Sequence, residues 1–229
     1  MNPYFVFTLA VALLAGPALA EEKLDLKDPK QRASYCIGGD IGARFKTQQL
    51  DLDVKALAAG IADALAGKPA LTDAEMQETL NAFRTELMAK MQAKQKTDGE
   101  KNGREGAAFL AANAKKEGVK SLPSGLQYKA LKSGSGKSPK ATDTVKVHYH
   151  GTLIDGTVFD SSVQRGEPAT FPVNNVIPGW VEALQLMKVG DKWQLVIPSK
   201  LAYAEQSPPG SKIGPNSVLV FEVELLAIE

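Results

Sequence analysis

The chain has 229 residues, of which 44% are hydrophobic and 23% are charged, and its formal net charge at pH 7 is +1. This length suits one domain of ordinary size and a smaller one, and the composition is typical of globular proteins. Acidic and basic residues are interspersed and nearly cancel, so the charge favours no nucleic acid as a partner and none is expected.

The first twenty residues predict a signal peptide. They contain no charged side chain, run apolar from Tyr4 to Leu14, and end in the small-residue pattern of residues 18–20. The apolar run is too short for a comfortable membrane span, and the small residues favour cleavage after Ala20. We therefore expect the mature protein to be exported.

Three apolar stripes with helical spacing follow, and we interpret them as the core of a helical domain. The first begins after Asp28-Pro29, the second ends at Gly67, and a capping box of Thr72 and Glu75 starts the third. The stripes comprise Tyr35, Ile37, Ile41 and Phe45, then Val54, Leu57, Ile61 and Leu65, and then Met76, Leu80, Phe83, Leu87 and Met91. Three such helices bury only a modest core, so we expect a homodimer formed through them.

One cysteine, Cys36, lies beside a ridge of small residues formed by Ser34, Gly38 and Gly42. A single cysteine can form no internal disulfide, so stability must come from burial. We expect Cys36 to be buried as a small hydrophobic residue and not to form an intermolecular disulfide.

The region 92–120 turns polar and alanine-rich, which predicts a long connecting helix. Glycine interrupts the helical pattern at Gly99, Gly103 and Gly106. Each interior glycine costs a helix about 1 kcal/mol relative to alanine, so we interpret the middle of this helix as weak. Gly118 and Pro123 mark the start of the next domain.

From residue 122 to residue 229 the pattern becomes strand-like. Apolar alternation or continuous apolar runs predict strands at residues 126–131, 144–153, 193–197 and 218–226. With one short helix at residues 181–187 on an antiparallel sheet, this region is predicted to be an α+β domain.

Residues 145–180 concentrate aromatic side chains, turns and one acid. Alternation places Tyr149 on the apolar face of a strand and both His148 and His150 on the outer face. Asp155-Gly156 predicts a tight hairpin turn, after which Phe159 and Asp160 set an apolar ring beside a carboxylate. Two histidines without a carboxylate or cysteine cluster are weak metal ligands, so we expect no metal and no cofactor.

Four motifs between residues 122 and 229 resemble the FKBP-type peptidyl-prolyl cis-trans isomerases. They are YHGTLIDGTVFDSS, VIPGWVEAL, IPSKLAYAEQ and GPNSVLVFEVELLAI. The upstream segment RASYCIGGDIGARF and the junction GLQYKAL are similar to the two-domain periplasmic members, the macrophage infectivity potentiator-like group.

The resemblance implies a curved antiparallel sheet wrapped on a short helix, preceded by an all-α domain that pairs two protomers into a V-shaped dimer. We accordingly predict a signal peptide at 1–20, a helical dimerisation domain at 21–94, a connecting helix at 95–121 and an isomerase domain at 122–229. The family resemblance also implies that the protein is located in the periplasm of a Gram-negative bacterium, with outer-membrane or surface association left open.

The family's pocket residues can be carried over individually onto this chain. The resemblance implies catalytic roles for Asp160, Tyr203, Tyr149 and Phe159, and substrate binding by Val176, Ile177, Trp180, Ile213 and Phe221. Arg165 stands where the family often places a partner for the pocket acid. Ala169 stands where small members carry phenylalanine, so we expect a wider pocket that still accepts macrolide inhibitors of the FK506 and rapamycin type.

The implied reaction is rotation about X-Pro peptide bonds of unfolded or partly folded exported proteins. Its uncatalysed barrier is about 18–20 kcal/mol because resonance gives the C–N bond double-bond character. Two alternatives remain open from the residues: a dimeric holdase chaperone with negligible turnover, and a virulence-associated binding protein.

Overall fold

The computed structural model describes residues 24–48 and 50–229, so the predicted signal peptide lies outside the described residues. Its contacts divide the chain into two compact units, one ending at Asp73 and one comprising Ala74–Glu229. The boundaries that we predicted at residues 94 and 121 stay a prediction.

The first unit contains the helices α1 (Pro29–Thr47) and α2 (Val54–Ala66). Helix α1 starts as predicted, because the side chain of Asp28 accepts a hydrogen bond from the Gln31 amide at 2.8 Å. Gly67 ends α2 in the left-handed conformation with φ of 65°, which glycine adopts without steric cost. The predicted start of α1 and the predicted end of α2 are therefore confirmed.

The apolar stripes of these two helices are not buried within the single chain. Neither α1 nor α2 has a buried residue among those described, and Leu65 is 84% exposed. The prediction that Cys36 is buried is wrong for the single chain, in which this residue is exposed. Within the described residues, these two stripes therefore form no buried core.

Helix α3 (Asp73–Asn113) follows directly after Thr72 and runs without interruption for 41 residues. At 1.5 Å per residue it is about 60 Å long. The predicted long helix is thus present, and it continues through all three glycines. Two of them, Gly99 and Gly106, are buried.

The rest of the second unit is a seven-stranded antiparallel sheet with two short α-helices. The strands are β1 (Lys120–Ser121), β2 (Gln127–Lys132), β3 (Thr144–Leu153), β4 (Val158–Ser161), β5 (Ala169–Pro172), β6 (Lys192–Ile197) and β7 (Leu219–Ile228). Their order is β1-β2-β6-β7-β3-β4, and β5 also pairs with β3. The helices are α4 (Ser162–Arg165) and α5 (Pro178–Leu186).

The hydrophobic core lies between this sheet and α5. Strand β3 alternates as predicted, with Val145, Val147 and Tyr149 buried. Helix α5 contributes Trp180 and Leu184 to the same core. The predicted α+β fold, with an antiparallel sheet packed on a short helix, is confirmed. No helix in the described part of the chain is both long enough and apolar enough to cross a membrane.

Candidate active site

The hairpin of β3 and β4 brings the predicted acid next to the predicted aromatic residues. Its turn is closed at Gly156, which has φ of 86°, and the Asp155 carboxylate accepts a hydrogen bond from the Thr157 amide at 2.9 Å. In this register Gly151 on β3 lies opposite Asp160 on β4. The hairpin therefore places Asp160 near the inner face of the sheet.

Gly151 makes room for two aromatic rings. A Cβ atom at this position would lie 2.8 Å from ring atoms of both Phe159 and Phe221, which is too close for carbon atoms that are not bonded. The two rings consequently meet over the strand at 5.3 Å, edge to face. Sequence reasoning missed this glycine, although its place between the pocket residues of β3 and β4 was a usable signal.

All nine predicted site residues line one cavity of about 670 Å³. They are Tyr149, Phe159, Asp160, Val176, Ile177, Trp180, Tyr203, Ile213 and Phe221. The strands, the start of α5 and the long β6–β7 loop all contribute to it. Tyr149 and Phe221, which are 72 positions apart in sequence, thus share one site, while the individual chemical roles of the nine residues stay a prediction.

The indole of Trp180 forms the inner wall of the cavity. It contacts Tyr149 at 5.4 Å and Phe221 at 5.2 Å between ring centroids, both edge to face. Trp180 is only 4% exposed, and its Nε1 has no hydrogen-bond partner among the described residues. Trp180 belongs to the hydrophobic core cluster of the sheet and α5, so the inner part of the cavity is apolar.

One edge of the cavity is polar, and three side chains form a closed set of hydrogen bonds there. The Tyr149 hydroxyl donates to Asp160 Oδ2 at 2.5 Å. Arg165 donates through Nη1 to Asp160 Oδ1 and through Nη2 to the Tyr149 oxygen, the latter at 2.9 Å. The guanidinium also lies over the Tyr149 ring, at 5.6 Å from its centroid. Arg165 therefore occupies the place that the resemblance implied.

These contacts set the charge at the edge of the cavity. Burial alone would raise the pKa of Asp160, but the hydrogen bonds from Tyr149 and Arg165 outweigh it and hold that pKa below its ordinary value. Burial and then the bond to the carboxylate raise the pKa of Tyr149, against the influence of Arg165. At neutral pH the site thus presents a carboxylate, a neutral phenol and a guanidinium.

Phe171 on β5 is a site residue that the sequence analysis missed. It lines the cavity and meets Trp180 edge to face at 6.0 Å. Ala169, two residues earlier on the same face of β5, packs against the hydrophobic core. The alternation of Ala169 and Phe171 was visible in the sequence, but it does not show which of the two side chains reaches the cavity.

The β6–β7 loop completes the mouth of the cavity. It contributes Tyr203, which is 39% exposed, and Ile213, which is 5% exposed. Residues 208–211 of this loop also line the cavity. The sequence predicted Tyr203 and Ile213 but not the Pro-Pro-Gly-Ser segment between them.

His148 and His150 lie on the outer face of β3, away from the aromatic cluster. The Nδ1 atom of His148 is 3.2 Å from the Ser162 hydroxyl, and that of His150 is 3.0 Å from the Ser161 hydroxyl. Both serines are buried. Each imidazole therefore has a local hydrogen-bond partner at the start of α4.

Comparison with protein families yields two matches that together span nearly all described residues. Residues 135–226 match the FKBP-type peptidyl-prolyl cis-trans isomerase model. Residues 30–130 match the model of the domain amino-terminal to the FKBP-type peptidyl-prolyl isomerase.

Several curated proteins are similar over most of their length. An FKBP-type peptidyl-prolyl cis-trans isomerase FkpA of Aeromonas hydrophila is 49% identical, with 97% of this chain and 85% of that protein aligned. The FKBP-type 22 kDa isomerase of Escherichia coli is 52% identical, covering 86% and 94%. The outer membrane protein MIP of Legionella longbeachae is 44% identical, covering 96% and 97%.

Solved structures agree with these sequence matches. The crystal structure of FkpA from Escherichia coli has a TM-score of 0.65 and 42% sequence identity, and the match covers 89% of this chain and 98% of that one. A peptidyl-prolyl isomerase from Pseudomonas syringae has a TM-score of 0.53 and 41% identity, covering 57% and 95%.

Proposed function

Since this chain belongs to the FKBP-type peptidyl-prolyl cis-trans isomerases and has their activity, we propose that the aromatic cavity is its active site and that its substrates are exported proteins. The observation that carries this proposal is the cavity itself, an apolar space bounded by Trp180 and edged by the Asp160 carboxylate. The proposal extends to the roles of the lining residues, the dimer and the periplasmic location.

The reaction breaks no covalent bond, so the cavity must act on the polarity and geometry of the X-Pro amide. Resonance in the planar amide places negative charge on oxygen and positive charge on nitrogen, and twisting the C–N bond removes this charge separation. A dry apolar cavity therefore disfavours the planar amide more than the twisted one, which lowers the barrier. The aromatic lining supplies those surroundings.

Three polar groups at the cavity are suited to orient the substrate. The proline ring would lie against Trp180, where the backbone amide of Ile177 at the start of α5 and the hydroxyl of Tyr203 can donate to the flanking carbonyls. Asp160 would lie beside the rotating carbonyl. Because Tyr149 and Arg165 both donate hydrogen bonds to this carboxylate, it stays fixed while the substrate turns.

A homodimer through the N-terminal helices is supported by their exposed apolar stripes. Val54 is 74% exposed and Ile37 is 62% exposed in the single chain, and a second copy is the partner whose matching stripes would cover them. Two cavities in one dimer could engage a single unfolded chain at two prolines, so the second contact would form at a high effective concentration. This arrangement supports chaperone activity in addition to isomerisation.

The periplasm is the compartment that the predicted signal peptide favours. One relative is named an outer membrane protein, so attachment to that membrane is a second location within the same proposal. Macrolides of the FK506 and rapamycin type are proposed as inhibitors, because the cavity offers the apolar walls that a proline-like ring requires.

The test replaces polar groups at the cavity without removing its walls. We expect Asp160→Leu and Tyr203→Phe to lower kcat/KM on a short X-Pro peptide by about tenfold, which corresponds to about 1.4 kcal/mol of transition-state stabilisation. Glu167→Leu, at an exposed acid two residues beyond Arg165, is the matched control and should keep wild-type activity.

Circular dichroism should show that all three variants are folded. Wild-type kcat/KM in both Asp160→Leu and Tyr203→Phe would contradict the assignment of the site. Trp180→Ala is less informative, because truncating a buried aromatic residue costs about 3–5 kcal/mol of stability as well.

A further inference from the structure

Part of the cavity rim belongs to a loop whose conformation is held from outside the sheet. Residues 213–218 end the β6–β7 connection, and the side chain of Ile213 lines the cavity. Asn216 has φ of 55° and Ala204 has φ of 51°, a region that non-glycine residues rarely adopt. The Asn216 amide donates to the Ala204 carbonyl at 2.7 Å, which closes the loop. A loop with two such residues persists only where other contacts hold it.

Helix α3 supplies those contacts through the face formed by Gly99, Asn102 and Gly106. The spacing of three and four residues places these positions on one side of a helix. Asn102 Nδ2 donates to the carbonyl of Pro215 at 2.9 Å and lies 3.4 Å from the Ser217 hydroxyl. The loop is thereby hydrogen-bonded to the helix within three residues of Ile213.

The two glycines allow the helix to approach this closely. A Cβ atom at Gly106 would lie 2.7 Å from Cγ2 of Val218, and one at Gly99 would lie 3.3 Å from the side-chain Nδ2 of Asn216. Val218 is 5% exposed although it lies outside the main hydrophobic core, so the helix covers it. By contrast, a Cβ atom at Gly103 would meet nothing within 4 Å.

A second attachment fixes the end of the same helix. Asn113 donates to the Gln127 side chain at 2.9 Å, and Gln127 in turn donates to the Leu110 carbonyl at 2.9 Å. Both side chains are buried. With its last turn bound to β2 and its Gly99–Gly106 face against the loop, this part of α3 is a rigid support and not a free linker.

We infer that Asn102, together with Gly99 and Gly106, is a positioning site for the isomerase reaction: the connecting helix holds the loop that carries Ile213 in its substrate-binding conformation. This inference rests on the proposed assignment of the cavity as the active site. Asn102 is not among the residues that line the cavity and contacts the loop at Pro215 and Ser217, so its removal should weaken substrate binding more than it slows the reaction of the bound substrate.

The test uses the full-length protein with Asn102→Ala, Gly106→Ala and Gly103→Ala, assayed on a short X-Pro peptide. We expect Asn102→Ala and Gly106→Ala to raise KM about threefold to tenfold, as expected for the loss of one hydrogen bond or of close contact, with kcat nearly unchanged. Gly103→Ala makes the same chemical change as Gly106→Ala on the open side of the helix. It should leave KM unchanged and should stabilise the helix slightly.

A compensating variant separates loop positioning from general damage. Val218→Ala removes the methyl groups that collide with a new Cβ at position 106, because the Val218 Cβ itself would be 3.6 Å away. Gly106→Ala with Val218→Ala should therefore recover a KM closer to that of the wild type than Gly106→Ala alone does. If Gly106→Ala instead damaged the fold in a way unrelated to the loop, adding Val218→Ala would raise KM further and would not restore it.

The outcomes distinguish the inference from the proposed function. If Asp160→Leu is impaired while Asn102→Ala and Gly106→Ala both match Gly103→Ala in KM, the positioning role is refuted and the active site stands. If Asp160→Leu and Tyr203→Phe both keep wild-type activity, the assignment of the cavity fails instead. Should Gly106→Ala not fold, Asn102→Ala decides alone, since it removes only a half-buried amide.

Discussion

The N-terminal helices and the C-terminal sheet carry apolar patterns of similar regularity, yet only the sheet buries its pattern within one chain. Strand β3 alternates between buried and half-exposed residues along most of its length, whereas α1 and α2 have no buried residue. A periodic stripe shows which face of an element is apolar. It does not show whether the covering surface comes from the same chain.

The two regions therefore differ in what their stability depends on. The sheet and α5 share a core that includes Trp180, Leu184 and Leu219, all nearly inaccessible to solvent. The stability of this core should be independent of protein concentration. The helices α1 and α2 should be stable only to the extent that a second copy binds them, so their stability should depend on concentration.

The largest expected effect comes from a pair of truncations, one in each region. Leu184 is 1% exposed and Ile61 is 51% exposed. Leu184→Ala should destabilise the C-terminal domain by about 2–5 kcal/mol at any protein concentration, because it leaves a cavity in the core. Ile61→Ala should spare that domain and weaken the dimer.

Thermal unfolding and sedimentation equilibrium measure the two effects separately. A dimer dissociation constant unchanged by Ile61→Ala would show that this stripe is covered by something other than a second copy. An unfolding temperature for Leu184→Ala that varies with protein concentration would contradict the distinction between the two regions.

Two truncated chains separate the contribution of α3 from that of the dimer. A fragment of residues 74–229 keeps the contact between α3 and the β6–β7 loop. It should be monomeric and should have nearly full activity on a short peptide. A fragment of residues 120–229 loses the partner of Gln127 and the helix over Val218. We expect its kcat/KM to fall several-fold below that of the longer fragment.

Both fragments should lose much of the intact protein's effect on proline-limited refolding of a large client. A 74–229 fragment that matched the full-length protein in that assay would show that dimerisation serves another purpose. Equal peptide activity of the two fragments would show that α3 is dispensable for the cavity.

A smaller effect is expected at Cys36, the one cysteine of the sequence. Its thiol is exposed in the single chain, so slow labelling of the native protein by a maleimide would report coverage by a second copy. Gly38→Leu, on the same helix, should disturb the close packing of helices between the two copies. Labelling should then be about tenfold faster, which corresponds to a loss of about 1.4 kcal/mol in the free energy that protects Cys36.

Gly103→Leu is the control, because both glycines have open space around them in the single chain. Fast labelling of the unsubstituted protein would mean that α1 does not contribute to the dimer. A dimer band on non-reducing electrophoresis would instead identify an intermolecular disulfide, which we do not expect.

The smallest expected effect is a shift in pH dependence. Although burial acts to raise the pKa of Asp160, the bonds from Tyr149 and Arg165 hold it below its ordinary value. The ionised Asp160 therefore contributes to folding stability above the pKa of an unfolded aspartate, which is about 3.9. This contribution is lost as the pH falls through the lower pKa that Asp160 has in the folded protein. We expect kcat/KM to be flat between about pH 5 and pH 8 with respect to this group.

Arg165→Gln removes a partner of the carboxylate and should move the acidic limb of the profile to higher pH. Lys192→Gln, which breaks the 2.8 Å ion pair with Glu222 on strands β6 and β7, is the control and should not move it. Exchange NMR on an X-Pro peptide measures both without a coupling protease. An unchanged acidic limb in Arg165→Gln would mean that Asp160 does not control it.

Much of the fold was predictable because local chemistry determines where elements begin and end. Asp28 caps α1, Gly67 ends α2 and Gly156 closes the hairpin, each for a reason contained in its own side chain or backbone freedom. Eight of the nine site residues could be named together because they lie within the motifs that carry the family resemblance, and Ile213 directly precedes the fourth motif.

The remaining errors concern what faces a residue across space. Gly99 and Gly106 predicted a weak helix from propensity alone, whereas in the structure they admit the loop of residues 215–218. Cys36 was expected to be buried as a small hydrophobic residue beside a ridge of small residues, whereas it is exposed in the single chain. Phe171 was overlooked because alternation identifies a face of β5 and not the depth to which a ring extends.

The placement of the two tryptophans has a practical consequence for following this protein in solution. Trp180 borders the cavity and Trp193 stacks on Tyr128 with ring centroids 4.2 Å apart, so both indoles belong to the sheet region. Most of the helical residues lie in α1, α2 and α3, and these helices dominate the far-ultraviolet circular dichroism. Intrinsic fluorescence and circular dichroism are therefore two nearly independent signals. Fluorescence reports ligand binding and unfolding of the C-terminal domain, and circular dichroism reports unfolding of the helices.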